Sequence, residues 1–309
     1  MKKRKIVVAG AGYVGSAALY TLLTAGTADE LVLLDINAEK AEGDVLDMRH
    51  GMSFLRPVTL YAGGTPEGYA HCADAALVIL TAGAAQRPGE TRLDLLERNL
   101  CVFDDVLEGI VPRLAPEAII LVVTNPVDVL TRYVLARSGL PPGRVIGSGT
   151  VLDTSRLKVA IAGHAGVDAR DVHTFIVGEH GDTKVPVFSA TTISGMRLAD
   201  YCRQCAQCGG SAIALGRMHE LHDEVRDAAY EVIRKKGATC YAVAQAVNRI
   251  AEAVLGDQKA ILTVSGLVDG LHGIQGVCLS LPCVVGAGGL EKQLNVCYSD
   301  EEAAALRHS

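Results

Sequence analysis

The chain has 309 residues, 49% hydrophobic and 21% charged, enough apolar material for about two domains at the usual ~100 to 200 residues each, and this excludes disorder as the main state. With 29 Lys and Arg against 35 Asp and Glu, a net charge of −6 and only 4% aromatic residues, it lacks the basic, stacking surface that nucleic acid or an anionic membrane needs. Small molecules are the expected partners.

The first element, KIVVAG, follows a basic start, and MKKRKIVVAGAGYVGSAALY therefore looks superficially like a secretory signal. Glycines at 10, 12 and 15 interrupt the apolar stretch, and LVLLD follows without a polar mature start, so the segment reads as folded protein. No other run approaches the ~18 uncharged apolar residues of a membrane span. Nine cysteines, an odd count without a small-protein disulfide framework, fit reduced thiols and a cytoplasmic location.

Up to about residue 147, KIVVAG, LVLLD, VTLYAG, ALVILTAG and IILVVTNP read as strands separated by amphipathic helices. Strands alternating with helices predict an α/β, doubly wound parallel sheet, and runs apolar on both faces fit strands covered above and below. After RVIGSG the rhythm changes. A helix from Val151 to Ala162 leads to HTFIVG, then helices near Ala214 to Lys236 and Tyr241 to Val254, paired strands around AILTVSGLV and GVCLSLPCVV, and a terminal helix after Ser299. The expected division is a dinucleotide-binding domain over 1–147 and a mixed α+β substrate domain over 148–309.

Gly10-Ala11-Gly12-Tyr13-Val14-Gly15 follows the first strand and opens a helix, where free backbone N–H groups and the helix dipole can receive a pyrophosphate. Alone, this is also the pattern of an empty glycine-rich turn. About twenty residues further on, Asp35 ends the second strand, where a carboxylate accepts hydrogen bonds from an adenosine ribose and repels a 2′-phosphate. Together they predict a Rossmann sheet that takes NAD rather than NADP. Capping of the next helix is the other reading of Asp35, and Asp29 reads as a solvated turn residue.

Asp153 and Arg156 stand three apart in TVLDTSRLK and share a helical face, as a surface ion pair or as two walls of a site. In Val177-Gly178-Glu179-His180-Gly181-Asp182 a histidine sits beyond a strand-like run, in the kind of loop that hosts catalysis, although a lone histidine is more often structural. The loop from Gly83 to Arg92 carries glycines and two arginines and suits a mobile lid.

These motifs, with TAGAAQRPGETRLDLLERN, VVTNPVDVL and KKGAT in the same order, resemble the bacterial L-lactate dehydrogenases of the lactate/malate dehydrogenase family over essentially the whole chain. The resemblance implies hydride transfer between nicotinamide and a 2-oxo acid, pyruvate and L-lactate being the substrate pair. It assigns His180 as acid/base, Asp153 as its ring partner, Arg156 to the substrate carboxylate, Arg92 to the reacting carbonyl and Asn125 to the pocket's oxygen and nicotinamide side. It extends the cofactor site from Gly10, Gly12, Gly15 and Asp35 to Tyr13, Val14, Thr81, Ala82, Gly83 and Asn125. Thr239 matches a pocket wall, or is an ordinary helix-start residue. Gln86 matches the lid position that is usually glutamine in lactate enzymes and arginine in malate enzymes, which makes a malate dehydrogenase the alternative. A neutral amide there leaves a second substrate carboxylate unpaired, at a cost of several kcal/mol. A non-catalytic NAD sensor would need no acid/base pair, which His180 and Asp153 supply.

The resemblance further implies a homotetramer, activation by fructose 1,6-bisphosphate through Lys158 (where arginine is usual) and His173, a cis Asn125–Pro126 peptide, and a terminal helix that continues further in relatives. Cys202, Cys205 and Cys208, with His219 and His222 downstream, have a spacing that invites a metal, but three thiols do not complete four ligands, so no metal is expected and the thiols read as surface groups. The remaining cysteines, in apolar runs, read as buried.

Overall fold

The computed structural model describes residues 4–84, 92–205 and 212–309, with the backbone alone at 92–94 and 212–215. The first half forms β1 (Lys5–Ala9), α1 (Tyr13–Ala25), β2 (Glu30–Asp35), α2 (Ala38–His50), β3 (Thr59–Gly64), β4 (Leu77–Leu80), α3 (Arg92–Ile110), β5 (Ile119–Val122), α4 (Val127–Ser138) and β6 (Val145–Gly147). These six strands lie in parallel in the order β3-β2-β1-β4-β5-β6, the doubly wound arrangement expected from the alternation.

Successive strand residues feed two cores. Ile6 and Val8 of β1 join Leu19 and Leu22 of α1 on one face, while Val7 and Ala9 join Phe103 and Ile110 of α3 and Leu130 of α4 on the other. Burial on both faces is why these strands read as unbroken apolar runs. β3 departs from that expectation: it is the sheet edge, and Thr59 and Tyr61 are exposed.

The second half contains α5 (Val151–Ala165), β7 (Val172–His173), β8 (Ile176–Val177), β9 (Val185–Pro186), β10 (Thr192–Ile193), β11 (Met196–Arg197), α6 (Leu198–Cys202), α7 (Ala212–Lys236), α8 (Tyr241–Leu255), β12 (Ala260–Leu262), β13 (Ser265–Asp269), β14 (Gln275–Ser280), β15 (Cys283–Gly286), β16 (Gly289–Gln293) and α9 (Asp300–His308). Three runs that read as single strands are each divided: HTFIVG into β7 and β8, AILTVSGLV into β12 and β13, and GVCLSLPCVV into β14 and β15. The chain changes sheets inside all three, β7 pairing with β10 and β8 with β9. β13 and β14 extend the central sheet antiparallel beside β6, through Ser265 opposite Gly147, whereas β12, β15 and β16 form a separate sheet. Pro282, without an N–H to give to a ladder, stands where GVCLSLPCVV changes sheets.

α8 packs against α1 and joins its core, and a third core lies between α5 (Leu157, Ile161) and α7 (Met218, Leu221, Val225). α9 begins with a reciprocal cap, the Ser299 hydroxyl accepting from the Glu302 backbone and the Glu302 carboxylate accepting from the Ser299 backbone. Among the described residues, no helix is long and apolar enough to cross a membrane.

Candidate active site

The glycine-rich turn locks together the ends of β1 and β4, the point where the strand order reverses. Gly10 has φ +113°, and a Cβ there would lie 2.5 Å from the Ala82 amide nitrogen; at Gly15 it would lie 1.8 Å from the Gly10 carbonyl oxygen. The Thr81 hydroxyl donates to that same carbonyl at 2.9 Å, and the Ala82 N–H donates to Ala9 at 2.8 Å. Gly12 is different: a Cβ there would meet no atom within 4 Å. It is the N-cap of α1, whose first turn has neither a side-chain cap nor an acidic residue, so the N-terminal N–H groups around Tyr13 and Val14 face an open cradle.

Asp35 closes one side of this cradle, its Oδ2 accepting from the Ala11 N–H at 2.5 Å and its Oδ1 from the Asn37 N–H at 2.9 Å. Asn37, rather than Asp35, caps α2 by accepting from the Lys40 N–H at 3.2 Å. Asp29 lies in the bend before β2 with its side chain 46% exposed, as read, and is also paired, Arg4 donating to its carboxylate at 3.0 Å. An open glycine edge, an uncapped helix N-terminus and a carboxylate at the next strand end fit a dinucleotide's pyrophosphate and ribose.

Beyond the carboxyl ends of β5 and β6, on the same edge of the sheet as the turn after β1, three segments converge. The N-terminus of α5 is anchored by the Thr150 hydroxyl, which donates to Ile176, and by the Thr150 N–H, which donates to Ser280 Oγ at 3.1 Å. β8 then leads into Gly178, bridged to Ser280 of β14, and the loop beyond carries His180. The His180 backbone N–H donates to Asp128 Oδ2 at 2.7 Å, while Ser265 on β13 donates to Asp128 Oδ1 at 2.6 Å.

So placed, His180 Nδ1 lies 2.7 Å from Oδ2 of Asp153, which is 0% exposed, while the histidine itself is 24% exposed. Lys184 Nζ donates to Asp153 Oδ1 at 2.9 Å, and Arg156 Nη1 reaches the same oxygen at 3.3 Å. Burial disfavours charge on Asp153, but the hydrogen bonds and charges of His180 and Lys184 outweigh it and hold the carboxyl below the usual range. The ionised Asp153 therefore accepts from His180, fixing the proton on Nδ1 and leaving Nε2 for chemistry. Burial pushes Asp128 the other way, above its ordinary value.

Asp153, Arg156 and His180 are thus brought together as expected, but Asp128, Lys184 and Ser265 were missed. Lys184 follows His180 by four residues and Asp128 follows Pro126 by two, but His180 and Lys184 lie in a loop and Asp128 meets partners far along the chain, so neither contact follows from a helical or strand period. The Asn125–Pro126 peptide is cis, as expected, and so is Thr65–Pro66. Asn99 donates to the Asn125 carbonyl at 3.1 Å and accepts from the Ala84 N–H at 2.8 Å, tying Asn125 to the segment after Thr81, Ala82 and Gly83.

Thr239 is half-buried just before α8. Lys158, on α5, has its ammonium form disfavoured by burial and by Arg249, and His173 is exposed on β7. Gln86 and Cys208 lie outside the described residues, as does the Arg92 side chain; the Arg92 backbone opens α3. Two cysteine expectations fail: Cys202 is buried in the third core, and Cys101 and Cys297 are exposed. Cys101 projects from the outer face of α3, and Cys297 lies in the segment before α9, so neither apolar context guarantees burial.

A doubly wound nucleotide-binding half joined to a histidine–aspartate–arginine site defines the layout of a nicotinamide-dependent dehydrogenase. The chain belongs to the lactate/malate dehydrogenase family: residues 4–147 match its NAD-binding domain and residues 150–309 its alpha/beta C-terminal domain. It is 49% identical over 306 residues to an L-lactate dehydrogenase of Acetivibrio thermocellus, covering 99% of this chain and 94% of that one. It is 46% identical over 309 residues to L-lactate dehydrogenase 1 of Clostridium acetobutylicum, covering 100% and 96%. Among solved structures, the ligand-bound minor L-lactate dehydrogenase of Enterococcus mundtii superposes with TM-score 0.92 at 36% identity, covering 100% of this chain and 95% of that one. MGS-M5, a lactate dehydrogenase from a deep-sea metagenome library, gives 0.93 at 37%, covering 100% and 96%.

Proposed function

We propose that this chain is an L-lactate dehydrogenase, interconverting pyruvate and L-lactate with NADH and NAD. The observation that carries the reading is the 2.7 Å contact between His180 Nδ1 and the buried Asp153, on the same helix as Arg156. When bound, the reduced nicotinamide supplies the hydride. His180 then gives its Nε2 proton to the carbonyl oxygen, and Asp153 keeps the ring oriented and stabilises the charged imidazole before transfer. Arg156 grips the substrate carboxylate through two parallel charge-assisted bonds, which a lysine cannot reproduce. Arg92 meets negative charge developing on the carbonyl oxygen, an interaction worth roughly 3 to 4 kcal/mol if it acts like an oxyanion donor. Asn125 and Thr239 shape the pocket. Lactate oxidation runs the same steps backwards, with neutral His180 taking the hydroxyl proton.

Gln86 sets the substrate, because it has no charge to pair with the second carboxylate of oxaloacetate. NADH oxidation should therefore favour pyruvate over oxaloacetate by at least about 10²-fold in kcat/KM, roughly 2.7 kcal/mol of differential binding in the transition state. Gln86→Arg should erase or invert that preference. Equal reduction of both acids by the unmutated chain would replace this reading with a malate dehydrogenase.

In the same reading the division at 147/148 separates cofactor and substrate domains, and the protein works in the cytoplasm as a homotetramer. Fructose 1,6-bisphosphate binds through Lys158 and His173. The nearness of α5 to β7 and the neighbouring Arg249 support an anion site there. Mass measurement by sedimentation and pyruvate saturation curves with and without the bisphosphate test both points.

A further inference from the structure

Asp153 is shared. Its Oδ2 faces His180, and its Oδ1 is claimed by two cations, Lys184 at 2.9 Å and Arg156 at 3.3 Å. A histidine paired with a carboxylate and an arginine that grips substrate require only one of those cations to leave. Lys184 is buried, with its side chain only 6% exposed, so its ammonium is held against Asp153 rather than in water.

We infer that Lys184 is a positioning residue for the acid/base pair. It occupies Asp153 Oδ1, turns Oδ2 toward His180, releases Arg156 to the substrate carboxylate, and makes protonated His180 a readier proton donor by partly neutralising its partner. This rests on the acid/base role proposed for His180. Coulomb's law gives the sign: a positive charge on the far oxygen of Asp153 weakens the carboxylate's hold on an imidazolium at the near oxygen.

The other groups around the pair do not duplicate this effect. From α4, Asp128 accepts the His180 backbone N–H, and Ser265 of β13 holds its other oxygen. Within the loop, Glu179 adjoins the histidine and Asp182 accepts from Tyr230 of α7 at 2.9 Å. Also from α7, Asp227 and His222 lie in the field of Lys184. Burial first, then Lys184, pushes His222 down to about 4, so it is neutral throughout the range in which pyruvate reduction would be followed and does not supply its alkaline limb.

The test is the pH dependence of kcat/KM for pyruvate at saturating NADH in Lys184→Met, Lys184→Gln and Lys184→Arg. In the two neutral variants the alkaline limb should move upward, by less than the roughly one to three pH units of a charge in direct contact, because Lys184 acts on His180 through Asp153. KM for pyruvate should also rise, because Arg156 is drawn back to Asp153. Lys184→Arg should retain the unmutated limb. Lys184→Gln keeps a neutral donor, one bond shorter, for Oδ1 and guards against misfolding, which thermal melts and NADH fluorescence titration report. An unmoved or downward limb in a folded neutral variant overturns the inference, as does a limb that moves equally in Lys184→Arg. His180→Asn separates the two failures: full activity there overturns the acid/base role itself, whereas an inactive His180→Asn beside an unmoved Lys184→Met limb overturns only the role of Lys184.

Discussion

The cofactor and substrate sides of the site are built by opposite means. The cofactor side is backbone: Gly10 and Gly15 let main chains approach closer than any Cβ permits, and α1 presents uncapped N–H groups, with the Asp35 carboxylate at its rim. The substrate side is charge, with Asp153, Lys184, Arg156 and Asp128 gathered around His180. Backbone recognition suits a large ligand common to many reactions, since shape and dipoles suffice to seat it. Buried charge suits a small acid whose reaction moves a proton, because desolvated charges act more strongly and shift with every protonation change.

The largest expected effect therefore falls on the charged side. His180→Asn removes the proton donor while leaving the Gly12 cradle untouched. Pyruvate turnover should fall by at least 10²-fold, the usual scale of general acid catalysis, with NADH affinity unchanged. Single-turnover rates and NADH fluorescence titration separate the two. Retention of more than about a tenth of kcat would mean the charged side does not carry the proton.

The backbone side should break through packing instead. Gly15→Ala puts a Cβ 1.8 Å from the Gly10 carbonyl, an overpacking that should cost about 1 to 3 kcal/mol in denaturant unfolding and weaken NADH binding with it. Gly12→Ala is the control: with open space around its Cβ and φ −71°, it should leave stability nearly unchanged yet still impair NADH binding by intruding on the cradle. Equal stability losses in the two variants would show that the close approach at Gly15 is not what fixes the turn.

This contrast also governs what was legible in the sequence. The cofactor side is contiguous, so residues 10–15 and one carboxylate at a strand end announce it, and unbroken apolar runs announce the sheet beneath. The charged side is assembled from α4, α5, the loop after β8 and β13. Asp153 and Arg156 are recognisable as an i,i+3 pair, but nothing in the chain indicates that Lys184 folds back onto Asp153 or that Asp128 reaches the His180 amide. The sheet-switching points were hidden for the same reason. AILTVSGLV is mostly apolar across both β12 and β13, which lie in different sheets, and hydropathy does not report which neighbour a strand pairs with.

The smallest expected effect is at a charge on the backbone side. Asp35 accepts from the Ala11 N–H and from the Asn37 N–H, so its carboxylate is held at the rim, where an adenosine ribose would sit. A 2′-phosphate brought there meets a fixed negative charge and finds no arginine among the residues that line the turn, Gly10 to Gly15 and Asp35 to Asn37. NADH should be preferred over NADPH by at least about tenfold in kcat/KM, about 1.4 kcal/mol. Asp35→Ser keeps a short acceptor while deleting the charge, so it should narrow the preference mainly by improving NADPH. Asp35→Asn separates charge from hydrogen bonding, since its amide oxygen can still accept from Ala11. If Asp35→Asn retained the full preference, selectivity would come from the ribose contacts and the shape of the turn, and the cofactor side would be backbone recognition throughout.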